Sequence, residues 1–236
     1  VIGQLTSPPR ADTPVLGAKL SALWDCYRDL PEIASFWKSD RALLALFGGR
    51  LTVCGAIGGA ELGSFAGWLG VREIEGVAGE IPEAVGGFVR SDHPILSHTG
   101  DGCGEKPPAG ELSDVYEILC AADEAFAHDC DRLAWLSDLR RRTNRGAAEA
   151  FSENGACVLV TAIANGEAVI GAVACRPESR GNRTAAALLQ TACGALHAQG
   201  LRPVTVAADE RLSAYYERLG FTRAGTLALL TRRDGA

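Results

Sequence analysis

Val173-Ala174-Cys175-Arg176-Pro177-Glu178-Ser179-Arg180-Gly181-Asn182-Arg183-Thr184-Ala185 reads as the end of a strand, a turn and the start of a helix. The residues leading into it, Ala168 to Cys175, alternate and run apolar, as a strand buried on at least one face requires. Pro177 ends the strand and forces an extended exit. From Thr184 the apolar positions Ala185, Leu188, Leu189, Ala192 and Leu196 recur at helical spacing, and Gly200 stands where a left-handed C-terminal cap is expected. Residues 180–184 are therefore a strand-to-helix loop. Such a loop leaves the first helical N–H groups unpaired, and together with the helix dipole they make a site for an anion. Arg180 adds a permanent positive charge.

Downstream the pattern predicts a strand over Pro203 to Ala208, a short helix carrying Tyr215-Tyr216-Glu217-Arg218-Leu219-Gly220-Phe221, and a strand over Gly225 to Leu230. Strand, Arg-Gly turn, helix, strand, tyrosine helix ending in Leu-Gly-Phe, strand: this order resembles the C-terminal half of the GNAT superfamily of acyl-CoA-dependent N-acetyltransferases. The family's loop pattern is Arg/Gln-x-x-Gly-x-Gly/Ala, here Arg180-Gly181-Asn182-Arg183-Thr184-Ala185. Arg183 departs from it by occupying the place of the central glycine. A large side chain there either obstructs the approach of the backbone to a pyrophosphate or pairs its guanidinium with phosphate oxygens, and the residues alone leave both open.

The resemblance implies an α/β (α+β) fold with a central mixed sheet flanked by helices. It implies acetyl-CoA (CoA) as the bound cofactor and direct transfer of the acetyl group to an amine of a small molecule or a protein. The backbone of Val173, Ala174 and Cys175 would lie along the pantetheine arm. Arg180, Gly181, Asn182, Arg183, Thr184 and Ala185 would hold the pyrophosphate, with Asp209 and Ser213 also assigned to the cofactor. Tyr216 aligns with the family's tyrosine and would stand near the departing sulfur as a proton donor. Tyr215 shares the core-face spacing of Leu212 and Leu219 and is expected to pack instead. A thioester attacked by an amine also needs a proton acceptor. Asp138, Glu149 and Glu153 are candidates by position near the expected acceptor groove, and nothing in the sequence singles one out. The alternative function is a non-catalytic acyl-CoA-binding sensor or scaffold. The resemblance also allows a homodimer.

Composition suits an enzyme of this kind. Hydrophobic residues make up 47% of the 236, enough for a packed core. The net charge of -6 argues against a nucleic-acid partner. The apolar run from Val158 to Ala174 is interrupted by Asn165-Gly166-Glu167, so no membrane span is expected, and the polar, Pro-containing N-terminus is unlike a signal peptide. The eight cysteines include no C-x-x-C pair and several fall in expected strands or helices, which points to free thiols and a cytoplasmic location. His93, His98 and Cys103 lie close in sequence, but their segment offers no evident fourth ligand and no metal is expected.

Residues 91–110, rich in Gly, Pro, Ser, Asp and His, read as a linker or long surface loop. It divides a catalytic domain over residues 106–236 from a smaller N-terminal α/β domain over residues 1–105. In the catalytic domain two helices are expected between Leu112 and Leu139, the first capped by Ser113 or Asp114, followed by strands around Ala147 to Phe151 and Ala156 to Ile163, with Asn165-Gly166 a two-residue hairpin turn. In the N-terminal domain Ala42 to Phe47, Gly48-Gly49 and Arg50 to Cys54 form a second hairpin. There Leu62, Phe65, Leu69, Gly70 and Val71 repeat the spacing of Leu212, Tyr215, Leu219, Gly220 and Phe221, which suggests a degenerate GNAT-like half. No Arg-Gly cradle accompanies it.

Overall fold

The computed structural model describes residues 2–100 and 105–233. Its elements are β1 (Gly3–Gln4), α1 (Leu16–Tyr27), β2 (Ala34–Lys38), β3 (Ala42–Phe47), β4 (Arg50–Gly55), α2 (Gly59–Leu69), β5 (Glu73–Val77), β6 (Phe88–His98), α3 (Leu112–Ala122), α4 (Glu124–Asp129), α5 (Arg132–Asn144), β7 (Glu149–Glu153), β8 (Ala156–Ala164), β9 (Glu167–Cys175), α6 (Thr184–Ala198), β10 (Arg202–Val206), α7 (Glu210–Glu217) and β11 (Phe221–Arg232). The chain forms two compact units: Val1–Leu96 with Val206–Ala214 and Arg223–Ala236, and Ser97–Thr205 with Tyr215–Thr222.

In the first unit the strand order is β1-β2-β3-β4-β5-β11-β6. The β3–β4 hairpin turns on Gly48 and Gly49, both at positive φ (57° and 78°), the conformation a tight two-residue turn demands. From β4 the chain crosses through α2 to β5, which lies parallel to β4 in the register Arg50↔Glu73 to Val53↔Gly76. The return of β11 is antiparallel to β5. Leu62 and Ala66 of α2 pack with Leu44, Leu51, Val53, Ile74, Ile81 and Leu230 in one buried cluster.

The second unit has the strand order β10-β9-β8-β7. Asn165 and Gly166 (φ 52° and 73°) close the β8–β9 hairpin, and α6 crosses from β9 to a parallel β10. Val115, Ile118, Leu119 and Leu139 from α3 and α5 cover Ala150, Cys157 and Leu159. Val158 and Val160, also buried, point to the opposite face by the two-residue period of a strand.

Several expectations need correcting. Residues 91–98 are strand, the polar half of β6: Ser91 and Asp92 are exposed while Pro94, Ile95, Leu96 and Ser97 are buried, so the apolar run is too short and Pro-interrupted to register as a period. Residues 101–104, including Cys103, lie outside the described residues. Among the described residues three helices, not two, lie between β6 and β7. The first has Glu111 at its cap with no side-chain bond, and the capping is done later, by Asp123 to Ala125 and Phe126 N–H and by Asp131 to Ala134 N–H. The first strand of that unit begins at Glu149 rather than Ala147. The pairing of Leu62 to Val71 with Leu212 to Phe221 does not hold in the topology: α2 is the crossover between parallel strands, the place α6 holds in the second unit, whereas Leu212 to Leu219 belong to α7 and the turn after it. What the two segments share is a Leu-Gly pair that closes a helix or the turn after it. Gly70 and Gly220 both take the left-handed conformation, which a β-carbon disfavours (φ 66° and 93°).

All seven described cysteines are free. Burial pushes the thiols of Cys157 and Cys193 up to about 11 and about 12, so they stay neutral and behave as small core residues.

Candidate active site

The site begins where β9 parts from β10. The two strands pair in parallel from Glu167↔Arg202 to Ile170↔Thr205, and beyond Ile170 the register continues only on the β8 side, as far as Cys175↔Ala156. Exposure changes at the same point: Glu167 to Ile170 are buried, Gly171 is exposed and Ala172 to Cys175 are half-buried. A bulge in β8 accompanies the parting, because Val160 pairs with Ile170 and Ala162 with Val169, leaving Thr161 as the extra residue. The side chain of Thr161 lies against Gly171, where a β-carbon would come within 2.4 Å of it. Gly171 to Cys175 thus present a free strand edge about 13 Å long, with alternate N–H and C=O groups open to an extended, amide-bearing ligand.

The edge runs directly into the loop. Arg176 N–H closes the strand on Gly155 C=O (2.8 Å), a 3-10 turn covers Pro177–Ser179, and the chain then takes positive φ at Gly181 (84°) and Arg183 (57°) before α6. The first bond of α6 is Ala187 N–H to Arg183 C=O (2.9 Å), so the N–H groups of Thr184, Ala185 and Ala186 are the orphan donors of the helix start. Gly181, Asn182 and Arg183 are exposed. Arg180 donates through Nη2 to the Ala122 carbonyl at the end of α3 (3.2 Å), which leaves the rest of its fork of donors unspent. The Arg183 side chain makes no hydrogen bond or ion pair among the described residues, and the residue's left-handed backbone costs about 1–2 kcal/mol for a non-glycine residue.

The inner end of the edge meets Tyr216. Thr205, the last residue of β10 paired with β9, donates through Oγ1 to Ile170 C=O (2.9 Å) and meets the Tyr216 side chain. Burial pushes the Tyr216 hydroxyl up to about 12, so it stays protonated. The expected division between the tyrosines is reversed in exposure. Tyr216 is buried (6% exposed), edge-on to Phe221 at 5.2 Å, while Tyr215 is half-buried beneath Arg218 (5.9 Å), with its pKa raised by burial and then by Cys175. The reason lies in α7, which buries the Ser213 and Tyr216 positions, three apart, and leaves Leu212, Tyr215 and Leu219 to flank them.

Asp209 and Ser213 fall in the other unit, at the start of α7. Asp209 caps it, accepting from Leu212 N–H (2.7 Å) and, through its carbonyl, from Ser213 N–H (3.0 Å), and Ser213 is buried. Among the candidate bases, Asp138 is ion-paired with Arg142 (2.5 Å), Glu149 with Lys106, and Glu153 is exposed at the β7–β8 turn. His93 bonds Ser91 and the Ala208 carbonyl, His98 lies 3.0 Å from His197, and no three metal-ligating side chains come together among the described residues. Thr205, Thr161 and the His98–His197 pair have no local sequence signal: each acts through a partner on another strand or helix.

Residues 118–228 match the acetyltransferase (GNAT) domain family. Curated proteins offer no match. Solved structures resemble the chain at low identity. A GCN5-related N-acetyltransferase from Kribbella flavida has TM-score 0.57 and 16% identity over 94% of this chain and 95% of its own. An acetyltransferase of the GNAT family from Colwellia psychrerythraea has TM-score 0.56 and 11% identity over 99% and 100%. A GCN5-related N-acetyltransferase from Sphaerobacter thermophilus has TM-score 0.55 and 19% identity over 90% and 84%. At such identities the likeness is one of fold.

Proposed function

We propose that the protein, whose residues 118–228 match the acetyltransferase (GNAT) domain family, transfers an acetyl group from acetyl-CoA directly to an amine. The observation that carries this is the free edge Gly171 to Cys175, which leads from the Tyr216 hydroxyl at one end to the unpaired N–H groups of α6 at the other. The arrangement fits an acyl-CoA in three separate ways. The edge offers main-chain partners to the pantetheine amides, the helix start and the two arginines offer donors to the pyrophosphate, and a neutral phenol faces the end where the thioester would lie.

In the reaction the amine nitrogen forms a bond to the thioester carbonyl carbon, and the carbonyl electrons move to oxygen. Backbone N–H groups on the free edge of β9 stabilise that oxyanion. Collapse breaks the C–S bond, the Tyr216 O–H gives its proton to the departing thiolate, and the phenolate is reprotonated from solvent as the amine proton is lost. Direct attack is favoured over an acyl-cysteine at Cys175, since no histidine is placed to activate that thiol among the described residues.

Arg183 supports phosphate binding rather than obstruction. Its backbone keeps the left-handed geometry that a glycine would supply, and its side chain is exposed and uncommitted. Arg183→Gly is therefore expected to act with opposite signs on two measurements. Relief of the backbone conformation should raise stability in urea by about 1 kcal/mol, while loss of the guanidinium should weaken CoA binding by a factor of about ten, as befits a charge-assisted pair. Tighter CoA binding in the variant would mean that the side chain obstructs.

The N-terminal unit supports a copy that does not take the cofactor. It shares the order hairpin, crossover helix, parallel strand, but Ile81 covers Gly76 at the end of the β4–β5 pairing, and Glu80 accepts the Gly55 N–H (3.1 Å) where β4 leaves. Its crossover helix starts on Gly58 with Glu61 in the first turn, a poor anion site.

Incubation with acetyl-CoA and a panel of small amines and peptide amines, read as release of free thiol, tests the function. Amine-dependent release is expected. Stoichiometric CoA binding without amine-dependent release across the panel would instead make the chain an acyl-CoA-binding module.

A further inference from the structure

The mechanism leaves one cluster unused, the histidine pair of the second unit. His98, at the end of β6, and His197, in the last turn of α6, lie with Nδ1 and Nε2 3.0 Å apart. Gly100 N–H also donates to His98 Nδ1 (3.2 Å), so that nitrogen is the acceptor and His197 Nε2–H the donor. The His98 proton then sits on Nε2, which bonds the Leu219 carbonyl. Burial, then the neighbouring His197, hold His98 below the ordinary imidazole range, consistent with a neutral ring of fixed tautomer.

What this ring touches is the turn at the end of the tyrosine helix. Beside the bond to Leu219, Thr99 sends both its N–H and its hydroxyl to the Gly220 carbonyl, each at 3.2 Å. A β-carbon on Gly220 would come 3.0 Å from His98 Nε2, so the glycine there serves close approach as well as its positive φ. The His98 ring meets Phe221 edge-on at 5.0 Å, and Phe221 in turn meets Tyr216 at 5.2 Å. The phenol is thereby located at its tip by Thr205 and along its ring by Phe221.

We propose that His98, oriented by His197, is a positioning residue for Tyr216, holding the Leu219-Gly220-Phe221 turn and through Phe221 the placement of the phenol. The proposal rests on the assignment of Tyr216 as the proton donor. The test is a double-mutant cycle on the full chain. Kinetic constants for acetyl-CoA and a saturating amine are compared for His98→Gln, His197→Ala and Tyr216→Phe, alone and combined, with near-UV circular dichroism as the check on folding. His98→Gln is expected to lower kcat about ten- to a hundredfold, the scale of a small misplacement of a catalytic group, with KM for acetyl-CoA within about twofold of the parent. His197→Ala should fall in the same direction by less. In the Tyr216→Phe background neither change should lower kcat further, because nothing remains to be positioned.

An independent loss in that background overturns the proposal, as does an unchanged kcat in folded His98→Gln or a rise in KM matching the fall in kcat. Should His98→Gln fail to fold, His197→Ala, which leaves the turn's own hydrogen bonds intact, decides by the same criteria. If Tyr216→Phe alone keeps the parent kcat, the proton-donor assignment itself has failed. If only the histidine variants are silent, the failure is confined to positioning.

Discussion

Tyr216→Phe is expected to lower kcat by roughly 10²- to 10³-fold, within the range contributed by a positioned general acid. KM for acyl-CoA should hardly move, because the strand edge and the helix start that would carry the pantetheine and pyrophosphate are untouched by loss of one hydroxyl. Stability should fall by only about 1 kcal/mol, the net worth of the hydrogen bond to Thr205. The pH dependence separates this role from simple packing. With its pKa pushed up to about 12 by burial, the hydroxyl keeps its proton well past the ordinary tyrosine value, so the parent enzyme should retain kcat through pH 10. The same shift makes a small contribution to stability that is present below pH 10 and lost as the pH rises toward about 12. Parent-like kcat in a folded Tyr216→Phe, measured by thiol release at saturating amine, would remove Tyr216 from the chemistry. Tyr215, half-buried and near Cys175, would then be the phenol to examine.

The local half of this site was legible in the sequence and the long-range half was not. The strand ending at Cys175, the loop at Arg180 and the helix from Thr184 are set by residues within a few positions of one another: an apolar run, a proline, a glycine and a helical period. The parting of β9 from β10 depends on Thr161 and Thr205, whose partners lie eight and 35 residues away, and no pattern in either neighbourhood marks them. The His98–His197 bond spans 99 residues. Exposure misled in a different way. A helix of eight residues gives barely two turns, too few for apolar spacing to distinguish the buried Tyr216 from its half-buried neighbour.

The N-terminal half shows the same limit at larger scale. Leu69-Gly70 and Leu219-Gly220 look alike because one caps a helix and the other closes the turn after a helix on a glycine of positive φ, a local backbone requirement rather than a common position in the fold. The likeness that does exist between the units is one of connection: an antiparallel hairpin followed by a helical crossover to a parallel strand. Connection leaves no residue pattern of its own. It emerges only once the strand registers are known.

The same registers bring a buried charge into view, and with it the largest expected effect on stability. Glu75 on β5 is opposite Thr52 on β4, is 3% exposed, and accepts from Lys19 Nζ (2.9 Å) and Thr52 Oγ1 (2.7 Å), with Arg50 Nη1 at 3.8 Å. Burial by itself would raise its pKa, but the Lys19 ammonium, then Arg50 and the hydrogen bonds, outweigh burial and hold the carboxyl below its ordinary value. The group therefore contributes stability above the unfolded pKa of about 4.3, and that contribution is lost as the pH falls through the folded value. Lys19→Met takes away the main compensation and leaves the carboxylate buried with Thr52 and a more distant arginine. A loss of about 3–5 kcal/mol at pH 7 is expected, the usual cost of breaking a buried pair from one side. In the variant burial prevails, so the Glu75 pKa moves above its ordinary value and the sign of the linkage inverts: its contribution is full below about pH 4.3 and shrinks as the pH rises. The gap between parent and variant should accordingly narrow between pH 7 and pH 4.5. Urea unfolding at the two pH values measures it, and an equal gap at both would show that Lys19 acts through packing of its methylenes. The double variant Lys19→Met, Glu75→Gln removes the charge along with its partner and should recover most of the loss, because an amide in place of a stranded carboxylate has far less hydration to forfeit.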